Sequence, residues 1–363
     1  MPPFGPVHVL VAILSVLSTI TSTKLSKEED LSRSVTCGKA APQSKLFEGK
    51  HVAGSDAPWM VKVEHGKDGQ TGKKSGFLLS NRHVVTSSDA FLDHGHANKT
   101  DTFRWIYNMT YSDLATCIDR TMPVPKFALQ GAVVHLCSGE PSGSDCGTAA
   151  AINVIDAMYM GNCDQTMMSY GLIVMELEKP VDTASVPVCI TDIVGEIDEE
   201  VSMYGLGDAA GTSALNTRQA KVVKCTNAER HIDLSVCFNT GTCDDDVGGL
   251  IARNVEGQLY ALGVFWSFAC SIDDNVNQVS VPKFHDKICE VTGVCLTVPT
   301  VPPTTPAPTT PAPTQRPVQK PDDPSADPVE DVADQAATET PATESSASMA
   351  MLPGLAILLV FSL

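Results

Sequence analysis

The stretch SGFLLSNRHVVTSSDAF (Ser75–Phe91) decides the fold, because it holds two short apolar runs that are separated by a few polar residues. Runs of this length, rich in β-branched residues and bounded by turn-forming residues, are typical of β-strands. Three more runs have the same character: WMVKVEHG (Trp59–Gly66), GLIVMELE (Gly171–Glu178) and LYALGVFWS (Leu259–Ser267). The chain has no long amphipathic helix, heptad pattern or internal repeat, so its many short strands predict a sandwich or a barrel.

Charge and cysteine content restrict the class of protein. The 363 residues carry a formal charge of −18, which argues against nucleic-acid binding and against adhesion to anionic lipid. The hydrophobic content of 43% is enough for a globular core. Twelve cysteines, an even number, indicate disulfides in an exported chain.

Both ends of the chain predict export to the cell surface. Residues 1–22 have the pattern of a secretory signal peptide cleaved near Ser22, with a short N-terminal anchor as the alternative. At the other end, the apolar tail Met349–Leu363 follows small polar residues, as in a signal for a glycosylphosphatidylinositol (GPI) anchor. A plain tail anchor or a disordered end is the alternative. The attachment residue stays open among several candidates: Ala336, Ala337, Ser345, Ser346 and Ala347.

The composition of residues 296–348 predicts a stalk. Half of the 24 prolines lie between Pro299 and Pro341, beside many threonines, which favours an extended and O-glycosylated segment. The acidic part that follows is expected to remain disordered.

Six segments resemble the chymotrypsin/trypsin family in the same chain order: HVAGSDAPWMVKV, SGFLLSNRHVVTSSDAF, YGLIVMELEKPV, ASVPVCI, SMYGLGD and CDDDVGGL. The resemblance implies an all-β fold of two six-stranded antiparallel β-barrels with a short C-terminal helix. It places the domain at residues 51–295, after an N-terminal segment at 23–50. The ending ICEVTGVC resembles a nematode-expanded group of trypsin-like secreted proteins.

In that family a serine attacks, a histidine takes its proton and an aspartate orients the histidine. The resemblance places these roles on Val247, Asp89 and Gly171, and it places the oxyanion-hole glycine on Asp245. Valine has no proton to lose, glycine cannot orient a ring, and Asp89 would face a hydrocarbon. Substitute groups exist, but their spacing does not bring them beside Val247: His83, His94, His96, Ser87 and Ser88. The sequence therefore predicts an inactive protease homologue.

The resemblance also implies three disulfides: Cys243–Cys270, Cys37–Cys189 and Cys225–Cys237. Two family disulfides have lost both partners, one to Lys74 and Ala90 and the other to Val201 and Arg253. Cys289 and Cys295 are expected to close a small terminal loop.

Activation and specificity are altered as well. Lys50 precedes the position where a trypsin-like enzyme is cut, but His51 replaces the usual isoleucine or valine, while Asp246 keeps the family's aspartate. We therefore expect a domain that folds without cleavage. Gly241 at the specificity position offers no charge, and Trp266 matches a pocket-wall tryptophan.

An insertion at about 92–165 holds four cysteines whose pairing the sequence leaves open: Cys117, Cys137, Cys146 and Cys163. It also holds two N-glycosylation sequons, at Asn98 and Asn108. An exposed, disulfide-braced loop is where a new binding surface arises most easily, and a solvated family-specific loop is the alternative. The run Asp244–Asp246 lacks the alternating pattern of a calcium loop, so neither a metal nor a cofactor is predicted.

The function expected from the sequence is non-catalytic binding of an extracellular protein, such as a protease, an inhibitor or a protein substrate. One alternative is a serine endopeptidase with a rearranged site. The other is a surface structural glycoprotein.

Overall fold

The computed structural model describes residues 24–39, 50–67, 70–92, 105, 117–147, 150–163, 170–182, 184–207, 214–226, 233–240, 246–266 and 276–296. Several residues and segments predicted above lie outside these ranges: residues 1–22, the stalk, the apolar tail, Asn98, Asn108, Gly241, Cys243, Asp245, Cys270, His94 and His96. Within the described ranges, no helix has both the length and the apolar character needed to cross a membrane.

The described residues form fourteen strands and two α-helices. The strands are β1 (Lys50–His51), β2 (Met60–Lys67), β3 (Gln70–Leu78), β4 (His83–Ser87), β5 (Thr121–Pro123), β6 (Val133–Leu136), β7 (Ile152–Gly161), β8 (Gly171–Leu177), β9 (Glu200–Gly205), β10 (Asn216–Val223), β11 (Ser235–Phe238), β12 (Leu250–Val255), β13 (Gln258–Val264) and β14 (Val276–Ser280). The helices are α1 (Lys27–Thr36) and α2 (His285–Thr292).

The strands close into two antiparallel barrels. In the first barrel, hydrogen bonding runs in the order β7-β6-β2-β3-β4-β8 and returns to β7, with β5 as an extra strand on β7. In the second, the order β10-β11-β14-β13-β12-β9 returns to β10, and β1 is added to β10. Closure leaves no unpaired barrel edge. The predicted pair of six-stranded barrels with a C-terminal helix is confirmed.

Strands β4 and β8 are buried along almost their whole length, because both of their faces pack against other parts of the domain. In β8, Ile173 and Met175 point into the first barrel, whereas Leu172 and Val174 point to the core between the barrels. Side chains alternate across a strand, so a strand buried on both sides reads as a continuous apolar run. This burial explains why GLIVMEL contains no exposed residue.

The core between the barrels joins them into one unit. Trp59, directly before β2, meets Tyr204 of β9 edge-to-face with ring centroids 5.5 Å apart. Phe77, Val85 and Leu250 belong to the same buried cluster. Burial of a side chain of this size stabilises the fold by roughly 1.5–3 kcal/mol. The junction is therefore a rigid support for the residues that lie on it.

The N-terminal segment contains helix α1, which the sequence interpretation did not anticipate. Ser26 and Glu29 form a reciprocal capping box at its start. A disulfide from Cys37 to Cys189 fastens the end of the helix to the body of the domain. The helix is therefore an integral part of the folded unit.

Buried polar groups hold α1 against the end of α2. Asp30 Oδ2 accepts hydrogen bonds from the backbone N–H groups of Cys295 and Leu296, at 2.9 and 2.8 Å. Its Oδ1 accepts from Arg33 Nε at 2.8 Å. Burial lowers the pKa of Arg33, and the charge of Asp30 opposes that shift. A third contact is the bond from the Leu25 N–H to the Thr292 carbonyl.

Candidate functional site

The three positions that the resemblance assigns to a catalytic triad lie at the junction of the barrels. Asp89 belongs to a short 3₁₀ turn directly after β4, and Gly171 begins β8, the strand that pairs with β4. Val247 precedes β12, and its neighbour Gly248 lies so close to β4 that an added Cβ would contact the Thr86 hydroxyl. The fold therefore brings these positions together.

Asp89 forms an ion pair with Lys74 of β3. Nζ lies 3.0 Å from Oδ2, and the two side chains are 10% and 19% exposed for Asp89 and Lys74 respectively. The expectation that Asp89 faces a hydrocarbon is therefore wrong. The Asp89 carboxylate is therefore engaged by a cation in this structure.

A buried imidazole, His65 of β2, lies beside this pair. Burial and, to a smaller extent, the charge of Lys74 lower the pKa of His65 to about 4, and the charge of Asp89 opposes this shift. The ring of His65 is 5.8 Å from that of Phe91. At neutral pH, the position that the resemblance assigns to the histidine thus holds Asp89, which is ion-paired with Lys74 and lies next to the uncharged ring of His65.

Gly171 has no room for a side chain. A Cβ added there would meet the carbonyl oxygen of Met160 and would lie 2.8 Å from Cε2 of Tyr159. The Tyr159 ring is fixed because its hydroxyl lies 3.2 Å from the carbonyl oxygens of Asn162 and Tyr170, to which it donates. An aromatic ring thus fills the space next to Gly171.

Val247 is fully buried. Its carbonyl accepts a hydrogen bond from the Ser75 N–H at 2.9 Å, and the Ser75 hydroxyl accepts one from the Leu206 N–H at 2.9 Å. Gly248 follows at φ +90°, a conformation that favours glycine. The backbone of this loop is therefore tightly held, and it presents an aliphatic side chain to the interior.

Asp246 is fixed by the second barrel in the uncut chain. Its Oδ1 accepts from the Gly207 N–H at 2.9 Å. A Cβ at Gly207 would lie within 2.6 Å of the Asp246 carboxylate, and one at Gly205 would also contact it. The Asp246 carboxylate therefore packs against the backbone of two glycines, Gly205 and Gly207.

A different serine, Ser80, does contact an imidazole. Ser80 Oγ lies 2.8 Å from Nδ1 of His83. The same oxygen accepts the backbone N–H groups of Arg82 and His83, at 3.0 and 3.1 Å. Both side chains are buried, and burial lowers the pKa of His83 to about 4. With both lone pairs engaged in the turn between β3 and β4, this hydroxyl has a structural role.

Trp266, which matches the pocket-wall tryptophan of the family, packs edge-on against Tyr170. Their rings are 4.8 Å apart in an edge arrangement, and the Tyr170 hydroxyl accepts from Ser235 Oγ at 2.9 Å. Burial raises the pKa of Tyr170. The backbone N–H of Trp266 donates to Oε1 of Gln278 at 2.6 Å, and the buried Nε2 of Gln278 has no hydrogen-bond partner among the described residues. This side of the junction is filled by aromatic rings.

The possible cleavage position lies in a β-ladder. Lys50 and His51 form β1 and pair with Thr217 and Asn216 of β10. The next residue, Val52, is buried, and its N–H donates to the Leu215 carbonyl. The intact chain thus enters the domain as an added strand.

Five disulfides are present among the described residues: Cys37–Cys189, Cys117–Cys163, Cys137–Cys146, Cys225–Cys237 and Cys289–Cys295. Two of them, Cys37–Cys189 and Cys225–Cys237, are pairs that the resemblance implies, and Cys289–Cys295 closes the terminal loop. They also settle how the four insertion cysteines pair. Across the described ranges, no group of three or more His, Cys, Asp or Glu side chains is arranged to hold a metal ion.

Comparison with known proteins agrees with the fold. No curated protein matches the sequence. Residues 7–295 match the Nematode trypsin-6-like family, and this range includes every described strand and almost all of the described chain. The chain therefore belongs to the nematode trypsin-6-like family.

Proposed function

We propose that this protein is a catalytically inactive trypsin-like homologue that binds another extracellular protein at the cell surface. The single observation that carries the proposal is the set of residues at the barrel junction. An ion-paired carboxylate, a glycine without side-chain space and a buried valine stand at Asp89, Gly171 and Val247.

The chemistry of these residues supports inactivity. Peptide hydrolysis by this family needs a hydroxyl oxygen beside a neutral imidazole that a carboxylate orients. Val247 offers only carbon atoms, and Lys74 holds the Asp89 carboxylate. The hydroxyl–imidazole contact of Ser80 and His83 lies in a buried turn, where the oxygen already accepts two N–H groups.

Retention of the scaffold supports binding. The two barrels, five disulfides and the aromatic junction are present among the described residues, whereas the triad positions hold Asp89, Gly171 and Val247. The surface location rests on the export signal, the stalk and the apolar tail read from the sequence. A rigid, disulfide-bonded domain on an extended stalk is suited to recognition of proteins away from the membrane.

The test of inactivity uses the full-length protein from eukaryotic cells, with trypsin as a positive control. A serine-directed fluorophosphonate and a set of fluorogenic peptides should give no labelling and no hydrolysis above buffer. The Ser80→Ala variant tests the serine hydroxyl that contacts an imidazole among the described residues, because labelling that disappears in this variant would assign an active site to Ser80 and overturn the proposal.

The test of location and binding uses intact expressing cells. Phosphoinositide-specific phospholipase should release the protein into the medium if the anchor is a GPI group. The released protein should then capture one stoichiometric partner. Retention on cells after the phospholipase would contradict the lipid anchor, and a uniform matrix coat without a stoichiometric partner would favour a structural glycoprotein.

A further inference from the structure

An exposed apolar cluster lies on the loop that leads into β9. Ile193, Val194 and Ile197 are 57%, 44% and 63% exposed. Isolated exposed apolar residues are ordinary on protein surfaces, whereas several on one short loop indicate an interaction site. We call residues 192–199 the apolar–acidic loop.

Exposed carboxylates alternate with these apolar side chains along the loop. Asp192, Glu196 and Asp198 are exposed, and the sequence from 192 to 199 contains no lysine or arginine. The chain as a whole is strongly negative. An apolar centre with a charged rim has the composition of a protein–protein interface.

Arg253 holds this loop in place. Its Nη2 donates to the Ile193 carbonyl at 2.6 Å, and its Nη1 lies 3.5 Å from Oε1 of Glu199. Arg253 is only 9% exposed. Arg253 and Val201 are the positions at which the trypsin-like resemblance implies a disulfide. The side chain at one lost cysteine therefore reaches outward and fixes the loop.

The loop is also ordered by its own bonds and by β10. The Glu196 N–H donates to Oε2 of Glu199 at 3.0 Å, and the Glu199 N–H donates to the Glu196 carbonyl at 3.1 Å. The Asp198 N–H donates to the Val222 carbonyl at 2.8 Å, and the Val222 N–H donates to the Glu199 carbonyl at 3.0 Å. An exposed loop held in this way loses little conformational entropy when a partner binds.

We infer that the apolar–acidic loop is the docking surface for a protein partner that presents apolar side chains within a basic rim. This inference rests on the proposed binding function and identifies its surface. Complementary charge accelerates encounter and selects against acidic proteins.

Charge decides among the possible occupants. A second copy would bring the same carboxylates against each other. The acidic part of the stalk and an anionic membrane would be repelled in the same way. Only a basic partner gains from both the apolar centre and the rim.

The experiment places a photo-crosslinking residue on the full-length protein at the surface of cells. Val194→p-benzoylphenylalanine reports on the loop, and Val35→p-benzoylphenylalanine on α1 is the matched control, since Val35 is 58% exposed. The protein crosslinked from position 194 is identified by mass spectrometry, purified and measured in a binary binding assay. The crosslinked peptide on the partner is expected to lie among lysine and arginine residues.

Two sets of variants then test the contacts. The double variant Ile193→Ser/Ile197→Ser should raise the Kd about 30-fold or more, as expected for hot-spot side chains. The variant Asp192→Asn/Glu196→Gln/Asp198→Asn should slow association about 10-fold at low salt and remove most of its salt dependence. Leu31→Ser/Val35→Ser, which changes a similarly exposed apolar pair on α1, should alter the Kd less than about 2-fold.

The failures of the two ideas are distinguishable. No specific crosslink from position 194, a self-crosslink, a crosslink to the chain's own tail, or a Kd unchanged by the Ile193 and Ile197 substitutions would overturn the docking surface. In each case a partner captured through another face would leave the binding function standing. Fluorophosphonate labelling would overturn the inactive homologue while a loop-dependent partner remained.

Discussion

Lys74 and Asp89 are joined by an ion pair of 3.0 Å at two positions where the trypsin-like resemblance implies a disulfide cysteine and the catalytic histidine. Each substitution is unfavourable alone, because it leaves a charge in a mostly buried place. Together they neutralise each other beside the uncharged His65. The two charges therefore compensate each other, and no net charge from this pair is left in the barrel junction.

The ion pair gives a first prediction. Lys74→Met keeps most of the side-chain volume and leaves Asp89 without its cation, so the free energy of unfolding should fall by about 2 kcal/mol. Urea denaturation measures the change. Adding Asp89→Asn to Lys74→Met should recover part of the loss, because the uncompensated charge is removed.

The matched control for this prediction is an exposed pair. Lys126 Nζ lies 2.9 Å from Asp156 Oδ1, with side chains 68% and 56% exposed. Lys126→Met should change the free energy of unfolding by less than about 0.5 kcal/mol. Equal effects of the two lysine substitutions would contradict a special role for Lys74 and Asp89.

Restoring the aspartate of the triad should damage the fold. Gly171→Ala already places a Cβ against the Met160 carbonyl and the Tyr159 ring, so we expect a loss of about 3 kcal/mol or more. Gly139→Ala is the control, because Gly139 has φ +85° and open space around it. Its cost should be only the roughly 1–2 kcal/mol of a left-handed conformation.

The same geometry predicts that a grafted triad does not work. Asp89→His, Gly171→Asp and Val247→Ser combined should give no peptide hydrolysis, because a carboxylate at 171 has no space in which to orient a histidine. Thermal denaturation of the combined variant separates misfolding from inactivity. A folded triple variant that cleaves peptides would show that Tyr159 can move aside.

The sequence predicted the barrels because their strands carry strong local signals. Strands β4 and β8 are buried on both faces, and the segments around them resemble one family in chain order. Pairing order and closure followed from that resemblance. Local composition alone left a sandwich or a barrel open, since it contains no information about which strands meet.

The ion pair could not be predicted from the sequence, although both of its residues were singled out. Lys74 belongs to β3 and Asp89 to the turn after β4, and the direction in which each side chain points depends on the close packing of these two elements. Helix α1 was missed for another reason. Its capping box, Ser26 and Glu29, was readable, but its surface is too polar to give an apolar stripe.

Two buried histidines should make stability depend on pH. Burial lowers the folded-state pKa of His65 and of His83 to about 4, below the unfolded value near 6.5. The unfolded chain binds more protons between these values. The contribution of these two neutral histidines to the free energy of unfolding is therefore fully present above about pH 6.5. It is lost as the pH falls towards 4.

Urea denaturation at pH 7 and pH 5 checks this dependence. His65→Gln and His83→Gln should each reduce the difference in unfolding free energy between the two pH values by about 2 kcal/mol. Between pH 7 and pH 8 the variants and the parent should show the same slope. Unchanged slopes between pH 5 and pH 7 in both variants would mean that carboxylates alone set the acid sensitivity.

Cleavage after Lys50 should leave the molecule intact. The N-terminal segment is bonded through Cys37–Cys189, and Asp30 binds the backbone at Cys295. Asp246 already accepts the Gly207 N–H in the uncut chain, so a new terminus at His51 has little to add. Limited trypsin treatment should therefore give one band without reductant and two bands with it, and the melting temperature should shift by less than about 2 °C.

Lys50→Gln is the matched control for this cleavage, because N-terminal sequencing must then no longer find a chain that begins at His51. Cys37→Ser/Cys189→Ser tests the tether: after cutting, the N-terminal fragment should dissociate in mild urea without any reductant. Release of that fragment from the disulfide-bonded protein would contradict the described attachment. A rise in melting temperature of more than about 5 °C on cutting would show instead that the terminus at His51 docks and stabilises the domain, as activation of an enzyme zymogen would require.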